Sequence, residues 1–427
     1  MNSIKVNLKD LLSCLSQAQD LVSSELSAHH HQVAYLAFHI ARYLKLSPDD
    51  QNNIILAGLL HDIGALAQNE NLENIDDESP SALSHGYMGS RLLKGFKPLE
   101  KAAEIITFHH HPWKLNGIVN AHIPLGSHII HIADRTCVLL DKKKDVLPQI
   151  PDIIKSISSR GTVFMPELVD CLCALGEIEY IWLDLAYELP LDRLAKVPSV
   201  ELAILDLDQI LDYSIIFSRI IDYRSCFTAK HSAGVAKTAE KLAQLFGYSE
   251  NECKMIRIAG HMHDLGKLAV SSAILEKPGP LTADEYSVVK CHPYYTYRLL
   301  EVVSGFETIS KWAAYHHEKP NGQGYPFHLD NNNLPLGARI IAVSDVFTAI
   351  SEDRPYRKSM QETQIKNILI SKAKEHALCP NVVSVLLNHF TLINNVRKEA
   401  QDQAENDYKS FKADTLKTQS LCLQSPL

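Results

Sequence analysis

The stretches AGHMHDLGK at residues 259–267 and AGLLHDIGA at residues 57–65 are the strongest indication of the fold. Each places a His-Asp pair at the end of an apolar helical pattern. In both halves another histidine, His231 or His29, lies 32 residues before the histidine of the pair. Unrelated segments rarely share such a long spacing, so the sequence indicates an internal duplication.

The duplication extends to further histidines and aspartates. In each half a later histidine is followed after 24 residues by a histidine doublet, and then by an aspartate within a matching apolar strip. The second set is His231, His263, Asp264, His292, His316, His317 and Asp345. The first set is His29, His61, Asp62, His85, His109, His110 and Asp134.

The segments between these residues have helical patterns. Ser47 is expected to cap a helix that has Pro48 in its first turn, and Ser249 with Glu252 has the spacing of a capping box. Apolar residues recur at three-and-four spacing, and no stretch alternates as a strand would. The predicted fold class is therefore all-α, with two tandem helical bundles.

The length of 427 residues exceeds that of most single domains. We predict one domain over residues 1–200, a second over 201–400, and a polar C-terminal tail over 401–427. The boundary is placed near residues 195–205, after the proline-spaced segment ELPLDRLAKVPSVE.

Charge and hydropathy exclude several function classes. The net charge of −8 argues against a nucleic-acid polymer as a partner. The apolar runs are shorter than the roughly 20 residues that span a bilayer, and the start of the chain lacks the apolar stretch of a signal peptide. The nine cysteines are scattered without a CxxC pair, which favours reduced thiols and a cytoplasmic location.

The repeated residues are suited to binding metal. Neighbouring helical residues point about 100° apart, so His263 can bind one metal ion while Asp264 bridges two. The seven nitrogen and oxygen ligands of the second half favour iron or manganese over a structural zinc site, with magnesium, nickel or zinc as alternatives. Two metal ions about 3.5–4 Å apart can clamp a phosphodiester for in-line attack.

Residues 225–400 resemble the HD-GYP domain, the subgroup of HD phosphohydrolases that hydrolyses cyclic dinucleotides. The resemblance rests on the segments KHSAGVA, HDLGK, ILEKPGPLTADEY, KCHP, HHEKPNGQGYP, PLGARIIAVSDVFTAI and DRPYRKSM. It implies two tandem HD-type bundles, with room for a small β element in the GYP loop.

The resemblance also implies roles for individual residues. The seven ligands of the second half would bind metal, with Asp264 and Lys267 as catalytic residues. Lys267 would also contact a phosphate of the substrate. The other substrate contacts would be Asn321, Gly322, Gly324, Tyr325 and Pro326 of the loop, and Arg354 and Arg357, whose guanidinium groups suit phosphate geometry.

The chain departs from the family pattern at several positions. Phe227 stands where members with a third metal ion carry glutamate, so two ions are expected. Thr296 replaces a usual glycine, which predicts different local helix packing. In the first half Ala65 replaces the lysine, and the GYP and DRPYR segments have no counterpart.

The first half is therefore expected to be a degenerate HD domain. Its seven ligands form a second candidate metal site, but its role would be regulatory or scaffolding, through a homodimer or a signalling partner. An independent nucleotide hydrolase is the alternative for this half.

The expected function is that of a metal-dependent phosphodiesterase that opens a bacterial 3′,5′-cyclic dinucleotide to the linear dinucleotide. Cyclic di-GMP is the commonest family substrate, whereas some tandem-HD relatives prefer cyclic GMP-AMP, and both remain open. The alternatives are an HD-superfamily nucleotide phosphohydrolase, which the GYP loop argues against, and a non-catalytic signalling scaffold, which would not need Lys267.

Overall fold

The structure, a computed structural model, describes residues 4–21, 28–68, 80–115, 122–186, 203–223, 230–352 and 359–422. Within these ranges the chain is almost entirely helical, which confirms the predicted all-α class. The described residues form two compact units, one from Gln19–Ala203 with Ala413–Leu427, the other from Met1–Ala18 with Ile204–Lys412.

Each unit is built from a succession of short helices. The helices of the first-half unit are His29–Tyr43, Pro48–Leu60, Ile63–Gln68, Pro80–Leu93, Glu100–Thr107, Leu125–Leu139, Ile150–Ser158, Pro166–Gly176 and Glu179–Ala186. Those of the second-half unit are Leu207–Tyr223, His231–Leu245, Glu250–Met262, Ser272–Leu275, Ala283–Val289, His292–Glu301, Glu307–Ala314, Leu336–Ser351, Glu362–Lys374 and Pro380–Asn388. Helices Leu8–Asp20 and Phe390–Cys422 contain residues of both units.

The predicted helix starts are confirmed. The Ser47 hydroxyl accepts a hydrogen bond from the main-chain nitrogen of Asp50 at 3.1 Å, with Pro48 at the first helical position. Ser249 and Glu252 form the reciprocal capping box. These bonds satisfy donors that a helix N-terminus leaves without an intrahelical partner, and they fix where both His-Asp helices begin.

A glycine in each half lets the His-Asp helix approach the preceding helix closely. A Cβ atom on Gly260 would lie 2.6 Å from the Cα of Ala236, and one on Gly58 would lie 2.6 Å from the Cα of Ala34. Any side chain at these positions would push the two helices apart. The close contact therefore sets the distance between the first histidine and the His-Asp pair in each bundle.

Two β elements accompany the helices. An isolated antiparallel bridge joins Asn321 to Asp330, so the small β element expected in the GYP loop is present. The sequence did not predict the second element, an antiparallel pairing of Val6–Asn7 with Ile204–Leu205. Two-residue strands are too short to show an alternating pattern.

The structure differs from the predicted domain limits at both ends of the chain. Residues 4–18 belong with the second half, where Val6 pairs with Leu205, and the side chains of Leu8 and Leu11 are buried. The predicted polar tail is helical as far as Cys422.

The predicted limit near residue 200 falls in 187–202, outside the described residues. Among the described helices, none combines the length and the apolar character needed to cross a membrane.

Candidate metal centre

The seven predicted ligands of the second half converge at a junction of helix ends. His231 and His292 begin their helices, His263 and Asp264 follow the end of Glu250–Met262, and the doublet lies in the 3-10 turn Tyr315–His317. Asp345 comes from the middle of helix Leu336–Ser351. The ligand atoms of His231, His263 and Asp264 lie within 4.8 Å of one another, as do those of His292, His316 and His317.

Asp264 lies at the centre of the cluster. Its Oδ2 is 3.2 Å from Nε2 of His263, and its Oδ1 is 3.3 Å from Nε2 of His292 and 3.8 Å from Nε2 of His316. Across the cluster, Nε2 of His231 is 3.1 Å from Oδ1 of Asp345. One carboxylate thus meets histidines of both three-residue groups, as the predicted bridging role requires.

The donor set fits a metal ion. Nδ1 of His292 donates to the carbonyl of Val289 and Nδ1 of His316 to that of Ala313, each at 2.7 Å. Their Nε2 atoms therefore both present lone pairs, although they are 3.2 Å apart. Among the described residues, the buried Nε2 of His263 and Oδ1 of Asp264 have no hydrogen-bond partner. Facing acceptors without a donor are unfavourable unless a cation binds between them.

The carboxylates of the cluster are ionised. Burial raises the pKa of Asp264, but the neighbouring His263 and Lys267 lower it by a larger amount. The pKa of Asp264 is therefore well below its usual range. Burial also raises the pKa of Asp345, and the hydrogen bond and charge of His231 lower it below its usual range.

The histidines differ in protonation. Burial lowers the pKa of His316 well below its ordinary value and lowers that of His317 to about 3, so both rings are neutral near pH 7. Burial also lowers the pKa of His231, but Glu352 and Asp345 raise it to about 10 overall. Without metal, His231 therefore carries an additional proton near pH 7, and a metal ion bound at His231 would displace this proton.

Lys267 lies beside the central carboxylate. It belongs to the 3-10 turn Leu265–Ala269, and its Nζ is 2.6 Å from Oδ2 of Asp264. Its side chain is 28% exposed, whereas that of Asp264 is 5% exposed. The ammonium group therefore lies between the buried cluster and solvent, where a phosphate could approach.

The departure at Thr296 has a local structural consequence. The main-chain nitrogen of Gly266 donates to the Thr296 hydroxyl at 2.9 Å, and this hydroxyl donates to the carbonyl of His263 at 3.1 Å. Thr296 thus ties the turn after the His-Asp pair to the helix that begins with His292. The packing difference predicted at Thr296 is therefore a hydrogen-bonded link through its side chain.

Glu318 organises the GYP loop, a role that the sequence analysis missed. Its side chain is buried, and its two oxygens accept hydrogen bonds from the main-chain nitrogens of Phe327 at 2.6 Å, His328 at 3.2 Å and Leu329 at 3.0 Å. The only sequence signal was an acidic residue directly after the histidine doublet.

The loop closes back on the metal ligands. A Cβ atom on Gly324 would lie 2.4 Å from the Cα of Glu318, so only glycine fits there. The main-chain nitrogen of Tyr325 donates to the carbonyl of His317 at 3.3 Å, and the two rings are 4.9 Å apart. A cavity of about 350 Å³ lies beside Tyr325 and Pro326, with Lys290 and Tyr294 among its lining residues.

The remaining predicted substrate contacts differ in their placement. The Asn321 side chain donates to the carbonyl of Glu375 at 3.0 Å and accepts from the main-chain nitrogen of Gln323 at 3.0 Å, so both of its polar atoms stabilise the loop. Gly322 adopts a φ of 73°, a conformation that favours glycine. Arg354, Arg357 and the departure at Phe227 lie outside the described residues.

The first half contains a second cluster with nearly the same geometry. Nε2 of His29 is 3.0 Å from Oδ1 of Asp134. Around Asp62, the Nε2 atoms of His61, His85 and His109 lie at 3.2, 3.3 and 3.9 Å from the carboxylate oxygens. His110 joins His85 and His109 in a candidate metal group, so all seven predicted ligands of this half converge.

The surroundings of this second cluster differ from those of the first. Ala65 is fully buried where Lys267 would stand, and Arg135 donates to Oδ2 of Asp134 from Nε at 3.1 Å and from Nη2 at 2.7 Å. His30, which sequence reasoning did not assign, has its Nε2 3.7 Å from Oδ2 of Asp62. The first half therefore preserves the ligands but not the groups around them.

The comparisons with known proteins agree with this arrangement. Family models described as HD domain match residues 26–139 and 216–381. The 3'3'-cGAMP-specific phosphodiesterase 1 of Vibrio cholerae is 29% identical over 401 residues, covering 90% of this chain and 92% of that protein. The 3'3'-cGAMP-specific phosphodiesterase 3 of the same organism is 36% identical over 214 residues, covering 49% of this chain and 46% of that protein.

A regulator from Xanthomonas campestris described as a cyclic di-GMP phosphodiesterase is 39% identical over 144 residues, 33% of this chain and 38% of that protein. The crystal structure of a cyclic GMP-AMP specific phosphodiesterase of V. cholerae matches with a TM-score of 0.65 and 25% identity, covering 91% of this chain and 99% of that one. Both halves thus match HD proteins in sequence, and the whole chain matches in fold. The chain belongs to the HD phosphohydrolase superfamily and carries two HD domains, the second of the HD-GYP type.

Proposed function

We propose that the chain is a metal-dependent phosphodiesterase that opens 3′,3′-cyclic GMP-AMP to the linear dinucleotide at the cluster around Asp264. The observation that carries the reaction type is the convergence of the ligands on one ionised carboxylate with Lys267 at its exposed edge. The cyclic GMP-AMP-specific relative covers both halves of the chain, whereas the cyclic di-GMP relative from Xanthomonas covers a third, which favours the hybrid dinucleotide over cyclic di-GMP.

The metal centre would hold two ions, iron or manganese in the first instance and magnesium, nickel or zinc as alternatives. One position is formed by His231, His263 and Asp264, and the other by His292, His316 and His317. Asp264 would bridge the two positions, and Asp345 would complete the first. When bound, such ions supply Lewis-acid chemistry to the phosphodiester and to the attacking water.

The chain's own groups would bind and orient the substrate. Lys267 would contact a phosphate oxygen and stabilise the negative charge that develops in the transition state. The cavity beside Tyr325 and Pro326 suits a base or ribose, because aromatic side chains and Lys290 line it and Tyr325 contacts the metal ligand His317. Arg354 and Arg357 remain the proposed grips on the second phosphate.

The first half is proposed to act as a regulatory or scaffolding domain that binds metal through its own cluster. The buried Ala65 and the pairing of Arg135 with Asp134 support this role, since both remove groups that a phosphate would use. Association with a second copy or a signalling partner through this half, and a cytoplasmic location where second messengers act, complete the proposal.

The test is a product analysis of the purified full-length protein. The protein is prepared under reducing, anaerobic conditions, loaded with manganese or iron, and incubated separately with cyclic GMP-AMP, cyclic di-GMP and a nucleoside monophosphate. Chromatography is expected to show linear dinucleotide, formed faster from cyclic GMP-AMP. Release of phosphate from the monophosphate alone would favour the nucleotide phosphohydrolase instead, and binding of cyclic dinucleotide without any product would favour the scaffold.

A further inference from the structure

A chain of buried hydrogen bonds connects the metal ligand His231 to the C-terminal helix Phe390–Cys422. Nδ1 of His231 is 3.1 Å from Oε1 of Glu352, and the other oxygen of Glu352 accepts from Nε2 of Gln401 at 3.1 Å. Arg397 donates from Nη1 to the amide oxygen of Gln401. Glu352, Arg397 and Gln401 are each at most 4% exposed.

The link to Glu352 distinguishes His231 from other histidines of the cluster. His263, His292 and His316 each direct Nδ1 to a main-chain carbonyl three residues earlier. Nδ1 of His231 instead faces a side-chain carboxylate, although His231, like His292, begins its helix. A carboxylate that accepts from the distal nitrogen of a metal-binding histidine fixes the orientation of the ring and makes it a better ligand.

Arg397, at the far end of the hydrogen-bond chain, is held in place by its neighbours. Nη2 of Arg397 donates to Oδ1 of Asn394 at 2.8 Å, and its guanidinium lies 5.7 Å from the centre of the Phe347 ring. Phe347 is on the helix that carries Asp345. The guanidinium compensates the negative charge of Glu352 through Gln401, which lowers the cost of burying that carboxylate.

The described residues of the first half do not form this arrangement. Asp141 occupies the position that corresponds to Glu352, seven residues after the aspartate ligand. It is partly exposed, and it accepts from the main-chain nitrogen of Lys143 at 2.9 Å and pairs with Lys144 at 3.0 Å. The hydrogen-bond chain therefore belongs to the half that carries Lys267 and the GYP loop.

We infer that Glu352, Gln401 and Arg397 are positioning residues that hold His231 in its metal-binding orientation, so that the C-terminal helix sets the affinity of one metal position. This inference rests on the metal centre in the proposed function, but not on the identity of the substrate. The position affected is the one formed by His231, His263 and Asp264. The position formed by His292, His316 and His317 has no member of the hydrogen-bond chain as a partner in the described residues.

The experiment is a manganese titration of the full-length, metal-free protein, with bound ions measured by elemental analysis and electron paramagnetic resonance. In Glu352→Gln the amide oxygen can still accept from Nδ1, but the charge is lost. In Gln401→Leu the link to the helix is lost. Both variants should bind one ion per chain roughly 10- to 100-fold more weakly than the wild type and leave the other ions, including those of the first-half cluster, unchanged. Turnover of Glu352→Gln should recover at saturating manganese.

Gln403→Leu is the matched control, because Gln403 is an exposed glutamine on the same helix that pairs with Asp407. It should bind manganese as the wild type does. Wild-type affinity at both positions in Glu352→Gln would overturn the inference, as would an activity loss that saturating manganese does not restore. A wild-type protein that binds manganese but hydrolyses no cyclic dinucleotide would refute the proposed function alone.

Discussion

Replacing Lys267 with alanine should slow hydrolysis while leaving the metal centre loaded. The Lys267 ammonium is 2.6 Å from Asp264 and 28% exposed, so it can contact the carboxylate and an approaching phosphate together. Loss of one preorganised donor to transition-state charge costs about 2.7–4 kcal/mol, which corresponds to roughly 10²- to 10³-fold in turnover. Metal content should persist, because His263 and His292 remain 3.2 and 3.3 Å from the Asp264 oxygens.

The assay compares steady-state turnover of cyclic GMP-AMP with the metal content of the same preparation. Lys237→Ala is the control, since Lys237 pairs with Glu240 at 2.7 Å and its side chain is 33% exposed. It should retain wild-type turnover. Wild-type turnover in Lys267→Ala would refute the assignment of this lysine to the transition state, and loss of metal from that variant would show that it acts by holding Asp264.

Two further predictions address the loop and the first half. Gly324→Ala should raise KM by about tenfold or more without loss of metal, because the new Cβ would lie 2.4 Å from the Cα of Glu318 and displace the loop. Gln323→Ala, a change at the exposed neighbouring residue, should leave KM unchanged. An unchanged KM in Gly324→Ala would contradict the role of the loop. Burial lowers the pKa of His39 from 6.5 to about 4, so as pH falls below 6.5 the unfolded chain binds a proton that the folded chain excludes. Through this residue, the free energy of unfolding of the first-half unit should therefore fall by about 2 kcal/mol between pH 7.5 and 5. In urea unfolding, the free energy of unfolding of His39→Phe should fall by about 2 kcal/mol less than that of the wild type over the same pH range. An equal fall in both proteins would contradict the assignment.

The convergence of the candidate ligands was predictable because most of them lie at or next to helix ends. The repeated spacing places His231 and His29 at the start of one helix and His263 and His61 directly after the next, and the caps at Ser47 and Ser249 are local features of the sequence. Helix geometry then determines which side chains converge. The twofold appearance of the pattern made an accidental match improbable.

The C-terminal helix was not predictable in the same way. Its buried face includes Ile393, Arg397, Gln401 and Phe411, which follow helical spacing, yet two of the four are polar. A search for apolar periodicity therefore reads the segment as solvated. The polar members are buried because they hydrogen-bond to each other and to Glu352, which lies far away in the sequence. Glu318 escaped prediction for a similar reason, since its partners are main-chain nitrogens that no residue type identifies.

The most direct test of the account compares paired substitutions in the two clusters. His263 with Asp264, and His61 with Asp62, occupy equivalent positions with the same 3.2 Å separation of imidazole nitrogen and carboxylate oxygen. Each pair is replaced by alanines in the full-length protein, and the linear dinucleotide formed from cyclic GMP-AMP is measured. The change at His263 and Asp264 should abolish product formation, whereas the change at His61 and Asp62 should leave most of it. Product formation that persists without His263 and Asp264, or that disappears without His61 and Asp62 in a protein that is still folded, would contradict this prediction.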